Sequence, residues 1–247
     1  MPANWNIILS IENSSAIAFE AGGRRRELIV RRSALARRMR LSVDPRDGNV
    51  KLSLPRRAGL RHALEWVEER RDWVEAELAR LPPPTPILPG ETIPIEGEPH
   101  IIDWRAELSR TVRREPGRLI IGGPPDLLQA RILRWFRKEA LAVLVRDTEE
   151  MASKAGVSIG RVSIGDPMSR WASCSSKGDI RYSWRLILMP PDVRRAIVAH
   201  EVAHRIHMNH GAAFHATEAM LFGREPKAET RWLRSNSARI HALGRDG

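Results

Sequence analysis

The feature that most constrains this chain is the pattern His200-Glu201-Val202-Ala203-His204. On a helix, residues four apart lie one turn apart on the same face, so both imidazoles can reach one metal ion. Glu201 would then point beside that ion, towards a water molecule on it. Zn²⁺ lowers the pKa of such a water to near neutrality, and a neighbouring carboxylate can act as its general base. The pattern therefore predicts a hydrolytic zinc site.

A catalytic zinc usually has three protein ligands and one open position, so a third ligand is needed. His210 is the best candidate, because Asn209 and Gly211 favour a turn after His207 that would bring His210 back towards the ion. This is the spacing of the H-E-x-x-H-x-x-G-x-x-H metalloproteases, although His207 stands at the glycine position. An acidic third ligand is also used by some zinc hydrolases. The competing third ligands are His207, His215 and Glu218.

An H-E-x-x-H pattern can also arise by chance on a solvated helix. Here the apolar residues Val193, Ile197, Ala199 and Ala203 surround the pattern, which favours a buried helix. A charged Glu201 on such a helix needs partners, because burying an unpaired charge is costly. A bound metal would supply them, and the metal site is the preferred interpretation.

Composition limits the class of protein. The chain has no run of about 18 apolar residues that would span a membrane, and Glu12 interrupts any secretory signal at its start. A single cysteine, Cys174, cannot form an internal disulfide and agrees with a reducing cytoplasm. Without a C-x-x-C partner, Cys174 is expected to be a small packed residue and not a zinc ligand.

Hydrophobic periodicity predicts an α+β fold in two parts. An N-terminal region, residues 1–90, combines β-hairpins with a helix and ends in a proline-rich linker; a catalytic region, residues 91–247, carries the metal helix beside a small β-sheet. Residues 1–23 are predicted to be a loose arm with one short strand. Helices are predicted over residues 58–81, about 124–155 and 212–223. Two more are the helix that carries the H-E-x-x-H pattern and a last helix that begins at residue 226.

Positive charge is concentrated near the N-terminus. The net charge is +11, and residues 24–40 hold eight arginines and one glutamate. Such a stretch can bind nucleic acid through phosphate contacts, although a solvated sheet face is the preferred interpretation. No aromatic residue is interleaved with these arginines, which argues against a single-strand stacking role.

A nucleic-acid role of residues 24–40 can be tested through its salt dependence. If these arginines bind phosphates, affinity should fall steeply with salt because counterions are released, and sequence preference should be small. Replacing Arg24, Arg25 and Arg26 by Ser should weaken binding in a gel-shift titration at low salt. No binding by the parent protein, or equal binding by the triple variant, would leave the solvated-surface interpretation standing.

Three segments together resemble the YgjP-like zinc metallopeptidases, a family related to the SprT-like proteases. They are Arg170-Trp171-Ala172-Ser173-Cys174, Trp184-Arg185-Leu186-Ile187-Leu188 and the run HEVAHRIHMNHGAAF from residue 200. The resemblance covers mainly residues 160–222, and more loosely the arginine-rich segment and the proline-rich linker. The combination is specific, whereas each segment alone would not be.

The resemblance implies a zincin-like catalytic domain with His200, His204 and His210 as zinc ligands and Glu201 as the catalytic carboxylate. One departure is His215, where the family pattern is expected to have Trp. This change would alter the floor of the pocket but leave the ligand set intact.

The sequence therefore predicts a cytoplasmic zinc-dependent metallopeptidase in which Glu201 activates a water for attack on a peptide carbonyl. A predicted strand, 180–188, precedes the metal helix and could pair with an extended peptide. Two alternatives remain: a metal-dependent nucleotide hydrolase, and a nucleic-acid-associated binding module with a structural zinc. Oxyanion or substrate contacts could come from Arg170, Lys177, Tyr182 or Arg185.

Overall fold

The computed structural model describes residues 7–8, 14–21, 24–34, 36–44, 48–83, 85–167 and 170–245. Within these residues the chain is a mixed α/β protein with six α-helices and three small sheets, in agreement with the predicted α+β class. It forms two compact units, Met1–Pro83 and Pro84–Gly247.

The first unit contains a five-stranded sheet. Its strands are β1 (Ile7–Ile8), β2 (Ser14–Ala21), β3 (Arg24–Ser33), β4 (Arg40–Val43) and β5 (Val50–Pro55). They are hydrogen-bonded in the order β1-β2-β3-β5-β4, with β3 and β5 parallel. The antiparallel pairing of β4 with β5 confirms the hairpin predicted there. The prediction of a loose arm is wrong for β2, because this strand pairs with β3 along its whole length.

The amphipathic run predicted as one helix over 58–81 forms two helices, α1 (Leu60–Glu68) and α2 (Arg71–Ala79). Neither glycine nor proline marks the break. Instead, Arg70 donates from Nη1 to the carbonyl oxygen of Trp66 at 3.1 Å, where the last carbonyls of α1 need partners. Both helices bury apolar side chains in the core that they share with the sheet, among them Val67 and Val74.

Arg32, in the basic stretch, has structural partners. Arg32 donates from Nη1 to the carbonyl oxygens of Arg56 and Ala58, at 3.0 and 2.8 Å, and so holds the turn after β5. Arg37 and Arg38 are exposed. The side chains of residues 24–26, on which the nucleic-acid test above depends, lie outside the described residues.

The described residues of the second unit form two further sheets and four α-helices. The strands of the larger sheet are β6 (Thr92–Ile95), β7 (Glu98–Trp104), β8 (Arg113–Glu115) and β9 (Arg118–Ile121), in the order β6-β7-β9-β8. Those of the smaller sheet are β10 (Val162–Gly165), β11 (Ala172–Cys174) and β12 (Ile180–Ser183), in the order β10-β12-β11. The helices are α3 (Leu128–Ala155), α4 (Pro191–Ala203), α5 (Ala212–Phe222) and α6 (Lys227–Ala242).

Helix α3 is the centre of this unit's core. Its apolar residues Ile132, Phe136 and Leu144 are fully buried, and the Phe136 ring stacks on Trp184 with centroids 5.6 Å apart. The helix ends where predicted, at Gly156, which adopts the left-handed conformation with φ of 64° that glycine accommodates without steric cost.

The predicted strand 180–188 is shorter than expected. Only β12 is extended, and residues Trp184–Leu188 form a buried 3₁₀ helix. Because β12 lies between β10 and β11, its two edges are already paired, and it cannot accept an added peptide strand. In the described part of the chain, the edge strand nearest α4 is β11.

A buried ion-pair network joins α3, α4 and the turn after β6. Arg194 donates from Nε to Asp147 Oδ2 at 2.8 Å and from Nη1 to Glu96 Oε1 at 3.0 Å. The Arg194 and Asp147 side chains are 3% and 2% exposed. Since a charge buried without its partner is strongly unfavourable, removal of Asp147 should weaken the fold.

We expect Asp147→Ala to lower the free energy of unfolding by about 3–5 kcal/mol, the usual cost of breaking a buried pair. Urea unfolding followed by circular dichroism measures this. Lys154→Ala is the control, because it breaks an exposed pair with Glu150 worth at most about 1 kcal/mol. A loss for Asp147→Ala no larger than that of the control would contradict the prediction.

Candidate metal centre

Helix α4 places His200 and Glu201 near its C-terminal end. Proline at the first helical position starts the helix, and its apolar residues Val198 and Val202 are fully buried. The helix ends at Ala203, so His204 is its C-cap and its amide bonds to the His200 carbonyl at 3.4 Å. The chain therefore turns at His204, earlier than the turn predicted after His207.

Three histidines meet at this helix end. His200, His204 and His210 each offer a ligand nitrogen, and these atoms lie within 4.8 Å of one another. Nε2 of His210 is 3.1 Å from Nε2 of His200. Two nitrogens that share one tetrahedral zinc, at the usual bond length of about 2.0–2.1 Å, lie about 3.3 Å apart. The three imidazole donors could therefore hold one metal ion.

Hydrogen bonds made by Nδ1 of His200 and of His204 determine which ring nitrogens are available to bind a metal. His200 donates from Nδ1 to Glu218 Oε1 at 2.8 Å, and His204 donates from Nδ1 to the His207 carbonyl at 3.2 Å. Both rings therefore present an Nε2 lone pair. Burial lowers the pKa of His204, which favours the neutral form that binds metals.

Glu218, considered above as a competing ligand, instead orients His200. Its second oxygen accepts a hydrogen bond from His215 Nδ1 at 3.1 Å. Burial raises the pKa of Glu218, but the bonds from His200 and His215 outweigh it, so the pKa lies below its ordinary value. The other competitors, His207 and His215, also lie outside the three-histidine cluster.

We expect Glu218→Ala to weaken zinc affinity by about 10–100-fold, the usual cost of losing the carboxylate that orients a ligand histidine. Competition with a chromophoric chelator measures the change. Glu225→Ala, which removes a neighbouring exposed carboxylate, should leave the affinity as it is. Parent-like affinity of the Glu218→Ala variant would show that His200 needs no such support.

Glu201 lies beside the cluster and outside it. Its side chain is buried, and together with His200 it lines a cavity of about 260 Å³. Burial raises the pKa of Glu201 to about 7, against the opposing charges of His200 and Arg170. A carboxyl group that titrates near neutrality can both accept and donate a proton under physiological conditions.

The four residues considered for substrate contact separate into two groups. Tyr182 is buried and hydrogen-bonded to Thr148 at 3.0 Å, and Arg185 is buried against Asp166 and the carbonyl oxygens of Ile240 and Leu243. Both therefore support the fold. Arg170 and Lys177 are exposed, and Arg170 lines the same cavity as Glu201.

Cys174 lies near the site without joining it. Burial raises the pKa of this thiol, and the charge of Glu201 acts in the same direction. Cys174 is partly buried and packs against the apolar core of this unit, as the small packed residue that the sequence predicts.

Two features next to the metal centre were not predicted from the sequence. Glu218 was considered as a possible ligand and not as the hydrogen-bond partner of His200. Helix α6, whose residues line the cavities next to His200, was given no role. One signal was present: Lys227, Arg231 and Arg234 recur at helical spacing, which predicts a single basic face.

Comparison with known families identifies the domain to which most of the chain is similar. A sequence profile of the YgjP-like metallopeptidase domain matches residues 37–236. Neither a curated protein nor a solved structure matches the chain significantly. Among the described residues, no helix is long and apolar enough to cross a membrane.

Proposed function

Since the chain belongs to the YgjP-like metallopeptidase family, we propose that it is a zinc-dependent peptidase whose metal is held by His200, His204 and His210. The family implies a metal and a hydrolytic reaction. The assignment of zinc rests on the three imidazole donors and their spacing, and the assignment of a zincin-like site rests on the H-E-x-x-H pattern at the end of α4.

Zinc, when bound, supplies a Lewis acid and an activated water. The Glu201 carboxylate would accept a proton from a water molecule that attacks a peptide carbonyl, and would return that proton to the leaving amine. Burial suits Glu201 to both roles, because it keeps the pKa of the carboxyl close to neutrality.

The edge strand β11 offers a place for the peptide backbone. Ser183 of β12 donates its backbone N–H to the Trp171 carbonyl oxygen at 2.8 Å, and Ser175 donates its backbone N–H to the Asp179 carbonyl oxygen at 2.9 Å. In this antiparallel pairing the alternate residues Ala172 and Cys174 direct their backbone groups away from β12. Ala172 also lines the cavity that contains Glu201. A peptide added along this edge would lie beside the catalytic carboxylate.

The single observation that carries the proposal is the buried Glu201 next to a three-histidine cluster. A purely structural zinc site needs no general base. A nucleotide hydrolase could use the same groups, and the two reactions are separated by their substrates.

The experiment is turnover of a mixed panel of peptides and nucleoside triphosphates by the zinc-loaded protein, read by mass spectrometry. We expect peptide cleavage that stops when a chelator removes the metal and returns with added zinc. Hydrolysis of nucleotides with intact peptides would contradict a peptidase, and so would zinc-loaded protein that leaves the whole panel unchanged.

A further inference from the structure

A second, larger cavity opens beside the metal centre. It has a volume of about 950 Å³, at the upper end of the range of about 300–1,000 Å³ for small-molecule sites, and it could therefore hold several peptide residues. His200 and Glu218 form one wall, and α6 forms another. Any substrate whose scissile bond reaches the metal would extend next to this cavity.

The α6 wall carries positive charge on one helical face. Lys227, Arg231 and Arg234 are spaced by four and three residues, and all three line the cavity. Lys227 already pairs with Glu225. Arg231 and Arg234 are exposed, and in the part of the chain that the structure describes they form no ion pair.

The carboxylates of this cavity do not neutralise the two guanidinium groups. Glu218 accepts hydrogen bonds from His200 and His215, and Glu225 pairs with Lys227. Two arginines one turn apart therefore remain available. Because guanidinium groups bind carboxylates with paired, charge-assisted hydrogen bonds, such a pair favours an anionic ligand.

The smaller cavity, on the Glu201 side, is different in character. Trp171, Ile197 and Leu233 line it, and it shares His200, Glu218, Pro226 and Thr230 with the basic cavity. The two cavities are thus neighbours around His200. A ligand that lies across His200 meets Trp171, Ile197 and Leu233, together with Arg170 and Glu201, in the smaller cavity, and Arg231 and Arg234 in the larger one.

We propose that the preferred substrates are peptides with a carboxylate within a few residues of the scissile bond, bound by Arg231 and Arg234. This inference rests on the proposed peptidase function. The carboxylate can belong to an acidic side chain or to the peptide C-terminus, and both present the same chemistry to the guanidinium groups. In the smaller cavity, Trp171, Ile197 and Leu233 contact a hydrophobic side chain of the same peptide.

The test uses four versions of one cleavable peptide, with Glu or Gln near the scissile bond and with a free or amidated C-terminus. The zinc-loaded full chain should cleave the best carboxylate-bearing version with kcat/KM at least about 10-fold above the Gln, amidated version at low salt. The advantage should shrink as salt screens the charges. The peptide version with the higher kcat/KM shows whether the bound carboxylate belongs to the acidic side chain or to the C-terminus.

Two double variants assign the effect. Arg231→Gln with Arg234→Gln should bring the ratio of kcat/KM values close to one. The control, Arg134→Gln with Arg137→Gln, removes the same charge at the same spacing from α3. These two arginines line neither of the two cavities, so the control should keep the parent ratio. Metal content and circular dichroism check that each variant is folded.

The outcomes are distinct. Cleavage of all four peptides at equal kcat/KM would overturn the substrate preference and leave the peptidase standing. An equal loss of preference in both double variants would overturn the role of Arg231 and Arg234. Arginine-dependent hydrolysis of nucleotides, with every peptide left intact, would overturn both proposals, because it would assign the two guanidinium groups to phosphate.

Discussion

A chain with both His200→Ala and His204→Ala is expected to lose its zinc and all measurable hydrolysis. The parent should bind about one zinc per chain, because the donor nitrogens of three imidazoles lie within 4.8 Å of one another. The double variant retains only His210, an exposed side chain, and one imidazole does not hold the ion against dilution. Metal analysis after gel filtration should then give a ratio below about 0.1 zinc per chain.

The matched control removes two histidines from outside the cluster. His62 is exposed in α1, and His207 contributes its backbone carbonyl to His204 but not its ring. His62→Ala with His207→Ala should therefore keep one zinc and parent-like activity. Full zinc occupancy in the His200→Ala, His204→Ala variant would show that the metal is held elsewhere.

Glu201→Gln separates catalysis from metal binding. Glutamine keeps the shape and volume of the side chain but cannot accept the proton, so hydrolysis should fall by at least ~10²-fold, the usual contribution of a general base. Zinc content should stay at the parent level, because Glu201 lies outside the three-histidine cluster. The kcat of the zinc-loaded variant and its metal content together measure the effect.

Asp192→Asn serves as the control for this substitution. It also neutralises a carboxylate on α4, but at the exposed first turn of the helix, and should leave kcat within a few-fold of the parent. If Glu201→Gln lost zinc as well as activity, Glu201 would be a metal ligand and the proposed role would be wrong.

The candidate site was predictable because its main signal is local. His200 and His204 are one helical turn apart, and His210 follows after a short loop, so spacing alone indicates that they can meet. The buried setting of α4 was predictable too, since Val193 and Ile197 mark its apolar face. Short-range geometry of this kind depends little on the rest of the fold.

The arrangement of the residues and helices around the site depends on long-range packing, which is harder to predict from the sequence. The apolar run Trp184–Leu188 is buried on all sides, and such a run has no periodicity that separates a strand from a helical turn. The break between α1 and α2 has no glycine or proline to signal it. The pairing of Glu218 with His200, and the approach of α6 to the metal centre, appear only once the helices are packed.

The most direct measurement is anomalous diffraction at the zinc edge from crystals of the zinc-loaded protein. We expect one strong peak within bonding distance of His200, His204 and His210, with Glu201 beside the ion and outside its ligand shell. A peak elsewhere, or a peak bonded to Glu201 or Glu218 in place of one of the three histidines, would contradict it.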